Sequence, residues 1–222
     1  MTQICVSLMV KTAGRVLETM NRARDEGADL VEWRLDVTRK PEVETVLPQS
    51  PLPVIATVRS VEQGGNFSGT LQEQLRLIIR AATSGSSYVD WEFRPGEPLP
   101  DELSVMRQRV ILSYHDFEHT PASKDLQLLF DQMAVLRTGV IKVVTLAQKV
   151  EDNISLLNLI GRGNNRGIKV VAFCLGPLGR ISRFACLLMG GAFTYAALES
   201  GAEAAPGQLT LAKMRQLLEL LQ

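Results

Sequence analysis

Lys142 stands in the middle of an apolar, β-branched run, Val140-Ile141-Lys142-Val143-Val144. A lysine there is not a surface choice, because a charge inside a strand core must be paired or used. Two uses are open. The ammonium can pair with a carboxylate such as Asp90 or Glu92, or the amine can act as a nucleophile and condense with a ketone to give a Schiff base. The second use needs a fraction of neutral amine. Desolvation and neighbouring cations such as Arg34 or Arg59 would supply it.

His115 follows another such run, Val110 to Tyr114, and opens His115-Asp116-Phe117-Glu118-His119. Two histidines four apart could share zinc on a helix. This segment leaves a strand and meets Thr120-Pro121, so helical geometry and a metal site are not expected. One strand from the lysine, His115 suits a proton shuttle; a satisfied core histidine is the plainer alternative. Arg183 lies in Gly179-Arg180-Ile181-Ser182-Arg183, expected in the loop or first turn after a strand. There it could clamp a carboxylate or a phosphate, or it could simply be a solvated helix-face arginine.

Elements must hold these groups. Strands are expected at Ile4–Met9, Leu30–Leu35, Val54–Arg59, Tyr88–Phe93, Val110–Tyr114, Val140–Leu146, Lys169–Leu175 and Ala192–Ala197. Helices are expected at Ala13–Glu26, Pro41–Leu47, Leu71–Thr83, Asp101–Arg107, Ser123–Arg137, Asp152–Arg162, Leu178–Met189 and Leu209–Leu220. Eight strand–helix units in 222 residues predict a single-domain α/β fold, a (β/α)8 TIM barrel spanning 1–222. An open doubly wound sheet would usually carry a glycine-rich phosphate loop after its first strand. Met9-Val10-Lys11-Thr12 stands there instead. Gly161-Arg162-Gly163 with Gly167 follows a helix and reads as a helix C-terminal turn, not a dinucleotide fingerprint.

Strand side chains alternate between two faces. Val31, Trp33 and Leu35 suit a helix layer, which leaves Glu32, Arg34 and Asp36 on the opposite face. Asp90 and Glu92 share a face of the fourth strand. Ile55, Thr57 and Arg59 share one on the third, and Ser113 and His115 one on the fifth. So many ionisable groups on inner faces predict either an internally paired cluster or a functional site at the C-terminal strand ends. The segments Ser60–Gly69 and Ser200–Gln208 read as mobile loops on that side, either of them a possible lid.

Lys+Arg and Asp+Glu both number 24 and are interspersed, which argues against a nucleic-acid partner. No run approaches the ~20 apolar residues of a membrane span. Met1 to Lys11 has no signal-peptide pattern. Cys5, Cys174 and Cys186 are scattered in apolar surroundings, as expected of core thiols in a reducing cytoplasm.

Taken together, the chain resembles the type I 3-dehydroquinate dehydratases of the shikimate pathway, over essentially its whole length. The resemblance rests on Glu32-Trp33-Arg34-Leu35-Asp36, Thr57-Val58-Arg59-Ser60 with Gly64-Gly65, and Ser113-Tyr114-His115-Asp116-Phe117 with Thr120-Pro121. Ile141-Lys142, Gly179 through Arg183, and Ala205-Pro206-Gly207-Gln208 complete it. It implies that Lys142 forms a Schiff base with the 3-dehydroquinate ketone and that His115 moves the protons. It also implies that Arg183 binds the substrate carboxylate, that Glu32, Arg34 and Arg59 bind ring hydroxyls, and that Gln208 closes over the substrate, with Ser7 a further contact. No metal or organic cofactor is implied, and a homodimer is. The family often has an acidic residue before the paired glycines and a serine two residues before the Pro-Gly-Gln run. Gln63, preceded by Glu62, and Ala204 occupy those positions here. From the residues alone, another Schiff-base barrel lyase of the aldolase type stays open, as does a non-catalytic homologue that binds a related metabolite.

Overall fold

The structure is a computed structural model describing residues 3–220. Strand and helix alternate eight times along the chain. The first half holds β1 (Ile4–Leu8), α1 (Val16–Asp25), β2 (Leu30–Arg34), α2 (Val43–Val46), β3 (Val54–Thr57), α3 (Leu71–Thr83), β4 (Tyr88–Glu92) and α4 (Asp101–Ser104). The second holds β5 (Val110–Asp116), α5 (Ser123–Val135), β6 (Val140–Leu146), α6 (Glu151–Asn164), β7 (Val170–Leu175), α7 (Gly176–Leu188), β8 (Thr194–Ala196) and α8 (Leu211–Glu219).

The chain packs as two compact units whose boundary falls inside β4. One comprises Gln3–Val89 and the stretch from Tyr195 onward. Its strands follow the order β3-β2-β1-β8, and β1–β2 and β2–β3 pair in parallel. Its core includes Ile4, Val6, Val31, Trp33, Ile55 and Ile78. The Trp33 indole N–H donates to Thr38 Oγ1 at 2.9 Å, which satisfies its one polar atom inside that core. The other unit, Asp90–Thr194, carries the order β4-β5-β6-β7. There β5–β6 and β6–β7 are parallel, over a core that includes Ile111, Phe130, Met133, Leu156 and Ile160.

Local chemistry sets the boundaries. Thr70 and Glu73 form a reciprocal capping box at the start of α3, and the Thr210 side chain caps α8. The second and fourth helices are a single turn each, followed by 3-10 turns at Leu47–Gln49 and Arg107–Arg109. Pro48 in the first of these has no N–H with which to extend α2. A 3-10 turn at Ala13–Arg15 replaces the expected start of the first helix. β5 runs two residues past Tyr114, because Tyr114, His115 and Asp116 stay in register with Val143, Val144 and Thr145. β8 is shorter than expected at both ends. Ala192 N–H is taken by the Val170 carbonyl, and Ala197 bonds to Leu209 and Leu211 of the returning chain. α6 is longer than expected and contains Gly161 and Gly163, since the Asn165 N–H still reaches the Gly161 carbonyl.

β7 passes into α7 with no intervening loop, so this helix starts two residues earlier than the sequence pattern predicts. The corner is Gly176, with φ +81, and a β-carbon there would meet Leu146 Cδ1 at 3.0 Å. A side chain at this backbone conformation is strained. All three cysteines are buried thiols. Burial pushes Cys174 up and Cys186 up to about 11, so both stay protonated as core groups. Among the described residues no helix is long and apolar enough to cross a membrane. Gly176→Ala is expected to lower unfolding free energy by about 1–2 kcal/mol, read from the midpoint of urea denaturation at unchanged slope.

Candidate active site

In the unit built on β4 to β7, Lys142 points inward from the third position of β6 and is 4% exposed. Asp90, one of the two carboxylates expected opposite it, is in contact: Nζ lies 3.1 Å from Asp90 Oδ2. Asp90 Oδ1 accepts a second bond, 2.6 Å long, from the Ser113 hydroxyl. Ser113 is the register partner of Lys142 across the β5–β6 ladder. The carboxylate is therefore held from both sides, and the amine has a fixed direction. Asp90 and Glu92 are both buried, and Glu92 pairs with Arg94 at 3.1 Å. The Arg94 guanidinium also sits 5.8 Å from the Trp91 ring centroid.

His115 lies two residues beyond Ser113 on β5. It shares the Ser113 face and so stands toward the C-terminal end of the strand from Lys142. Its ring stacks on Phe117 with centroids 5.9 Å apart and planes 9° apart. It is partly exposed where Lys142 is buried, a difference that suits a group exchanging protons with a ligand. His119 turns to Asp116, with Nδ1 3.4 Å from Oδ2.

Arg183 is neither in a loop nor on a solvated helix face. It lies in the second turn of α7, 1% exposed, with its guanidinium carbon 4.4 Å from the Phe173 ring centroid. Strand-to-helix continuity at Gly176 moves it deeper than expected. Burial pushes the guanidinium down to about 10, which leaves it cationic at neutral pH. A desolvated cation with a planar fork is suited to a carboxylate.

In the unit built on β3, β2, β1 and β8, Glu32 is buried and accepts from the Ser7 hydroxyl at 3.1 Å and the Thr57 hydroxyl at 3.0 Å. Ser7 also lies 3.5 Å from the Gln208 side-chain nitrogen, and the Gln208 side-chain oxygen accepts the Ala204 N–H at 2.7 Å. The segment expected to be mobile at Ser200–Gln208 is thus tied to β1 through Gln208, which is buried. Arg34 is buried in a bidentate pair with Asp36, at 2.8 and 2.7 Å. Burial alone would lower the Arg34 pKa, but the Asp36 hydrogen bonds and the charges of Asp36 and Glu32 outweigh it and raise it. Arg59 is buried at the C-terminal end of β3.

Lys142, His115 and Arg183 therefore belong to one unit, and Ser7, Glu32, Arg34, Arg59 and Gln208 to the other. Sequence reading placed Ser113, Thr57 and Asp36 on inner faces but gave them no part. Their short polar side chains on the faces of Lys142, Arg59 and Arg34 were the available signal. Phe173 under Arg183 gave no comparable signal, because a phenylalanine in a buried strand is ordinary.

Eight parallel strands alternating with helices, and an amine buried on the sixth, define a (β/α)8 barrel with a lysine as its most unusual inner group. The chain matches the type I 3-dehydroquinase family model over residues 4–222. It is 39% identical over 208 residues to a 3-dehydroquinate dehydratase of Syntrophobacter fumaroxidans, covering 88% of this chain and 87% of that one. It is also 39% identical over 215 residues to one from Thermococcus gammatolerans, covering 96% and 97%. The crystal structure of 3-dehydroquinate dehydratase from Geobacillus kaustophilus superposes with a TM-score of 0.86 at 26% identity, over 100% of this chain and 91% of that one. The chain belongs to the type I 3-dehydroquinase family.

Lys142→Met removes the cation from a buried pair and is expected to cost about 3–5 kcal/mol of stability. Adding Asp90→Asn should recover part of that loss. A double-mutant cycle in urea measures the coupling, and additive losses would show that the pair does not bear on stability.

Proposed function

We propose that this chain dehydrates 3-dehydroquinate to 3-dehydroshikimate through a Schiff base on Lys142. The observation that carries the reading is the buried Lys142, aimed by Asp90 and Ser113, with His115 two residues further along the same face of the adjacent strand. Family membership supplies the ketone.

The Lys142 amine adds to the C3 carbonyl carbon, and water leaves to give an iminium. His115 takes the proton from C2. The C2–H electrons move into the iminium and form an enamine. Their return expels the C1 hydroxyl, which departs as water with the proton that His115 carries. One group takes and returns the proton, so elimination is syn. Water then hydrolyses the iminium, freeing 3-dehydroshikimate and the amine. The iminium is the electron sink, so the reaction as written uses no metal or organic cofactor.

Arg183 holds the C1 carboxylate, which would repay the cost of burying its cation. Glu32, Arg34 and Arg59 bind ring hydroxyls, Gln208 closes over the substrate, and Ser7 is a further contact. Gln63 stands where the family often carries an acid, and a neutral amide there can hydrogen-bond an imidazole but gives its cationic form no counter-charge. The chain works as one catalytic domain over 1–222, in the cytoplasm. Its three buried thiols, none in a disulfide, suit a reducing compartment. Exposed Ile154 on α6 with Leu178, Ile181 and Leu188 on α7 offers an apolar face that supports a homodimer.

Borohydride added during turnover of 3-dehydroquinate is expected to leave a reduced adduct on Lys142, seen by peptide mass. Unmodified Lys142, with full turnover in Lys142→Ala, would remove the Schiff base. His115→Ala should bind ligand yet form enone product at least 100-fold more slowly.

The Arg183 pKa is lowered toward about 10, so its cation is complete at lower pH and is lost as pH rises through that value. Affinity for a non-ketone carboxylate analogue should therefore be flat from about pH 7 to 9 and fall above it. Arg183→Gln should weaken that binding by about 2–5 kcal/mol. Titration calorimetry across pH measures both.

A further inference from the structure

Asp36 follows β2, and its side chain is fully buried. Its carboxylate receives three donors. Arg34 Nε reaches Oδ1 at 2.8 Å and Arg34 Nη2 reaches Oδ2 at 2.7 Å. The third donor is the backbone N–H of Asn66, 3.1 Å from Oδ2. One oxygen therefore serves both an arginine of β2 and a loop 30 residues away. Two of the guanidinium nitrogens are committed to Asp36, and Nη1 is turned to the Met9 sulfur at 3.9 Å. The planar fork thus has one orientation.

The loop bound at the other side of Asp36 is compact. Gly65 N–H bonds to the Ser60 carbonyl at 2.8 Å, and Phe67 N–H bonds to the Arg59 carbonyl at 3.0 Å. The Phe67 carbonyl in turn accepts from Val61 at 3.1 Å. A β-carbon at Gly65 would collide with the Arg59 carbonyl, so the chain can lie this close only with glycine there. Every one of these bonds folds the loop on itself or on the end of β3. Asp36 fastens it to the end of β2, and it does so with the carboxylate that also holds Arg34.

We propose that Asp36 is a positioning residue that joins the 60–67 loop to the Arg34 guanidinium, so that the loop is folded and the arginine correctly turned as a single event. Its effect on turnover rests on the reading that Arg34 binds a substrate hydroxyl; its hold on the loop does not. An asparagine at position 36 is isosteric but presents an amide N–H₂ to one of these donors. It cannot accept from all three, and the charge that strengthens the bonds is gone.

Asp36→Asn is the test, with two readouts. The first is amide hydrogen exchange in the folded protein without substrate. Asn66 should exchange about tenfold or more faster in Asp36→Asn, as loss of a bond to a charged acceptor implies, while core amides of β2 and β3 keep their protection. The second is steady-state dehydration of 3-dehydroquinate. KM should rise about tenfold or more with kcat within about twofold, the pattern of a lost uniform contact. Asp36→Glu, which keeps the charge, should recover part of both, and it carries the test if Asp36→Asn does not fold. Unchanged Asn66 exchange, or loss of protection spread evenly through the core, overturns the proposal. Faster Asn66 exchange with unchanged KM also overturns it where Arg34→Gln raises KM, by separating loop from arginine. Where Arg34→Gln leaves KM unchanged as well, the reading of Arg34 as a substrate contact falls instead and the exchange arm decides the proposal. A wild-type chain that lacks dehydratase turnover would remove the proposed function instead, and the exchange arm would still decide whether Asp36 holds the loop.

Discussion

A charged amine inside a β-ladder must be satisfied where it stands, and much of this molecule follows from that requirement. Lys142 cannot swing to water, because it sits mid-strand with apolar neighbours on both sides. Its partner must come from another strand at the same height. Asp90 supplies it, and Ser113 holds Asp90 at the register position opposite the lysine. A one-residue slip between β5 and β6 would turn every side chain of one strand to the other face. It would separate Ser113 from Lys142 and remove His115 from their face. Strand register is thus fixed by polar satisfaction as well as by apolar packing.

The same rule operates around Glu32. Ser7 lies directly across the β1–β2 ladder, and Thr57 lies one inward-facing step along β3. Each oxygen of the carboxylate receives one hydroxyl. Arg34 and Asp36 form their pair one step further toward the C-terminal strand end. Polar layers thus replace the Val, Ile and Leu layers usual in such interiors. They are tolerated because neighbouring parallel strands bring donors and acceptors to matching heights. A half-satisfied version would cost more than an apolar core.

The strands were legible because period-two alternation is strong where one face is apolar and the other charged. Glu32, Arg34 and Asp36 against Val31, Trp33 and Leu35 is such a pattern, and the structure keeps it. Element ends were less legible, because they depend on partners outside the element. Nothing in Ser113-Tyr114-His115-Asp116 announces that β6 will continue alongside it. Nothing in Gly176-Pro177 says that the helix begins at once. The site was legible as a set of residue types, with Asp90 or Glu92 left open as the partner of Lys142. The contact with Asp90, the hold of Ser113 on that carboxylate and the pairing of Glu92 with Arg94 are tertiary facts. The burial of Arg183 was hidden for a similar reason, since its depth follows from the missing loop before α7.

That missing loop bears on how such a chain could change. Most connections at the catalytic end of a barrel tolerate added or removed residues, and new specificities usually arise by rebuilding them. Between Leu175 and Gly176 there is no spare chain to rebuild. A longer connection there would push α7 outward and lift Arg183 off Phe173. Length variation is left to other connections, while the anion-facing wall can change only one side chain at a time. Selection on connection length therefore acts elsewhere and leaves the arginine anchor nearly constant.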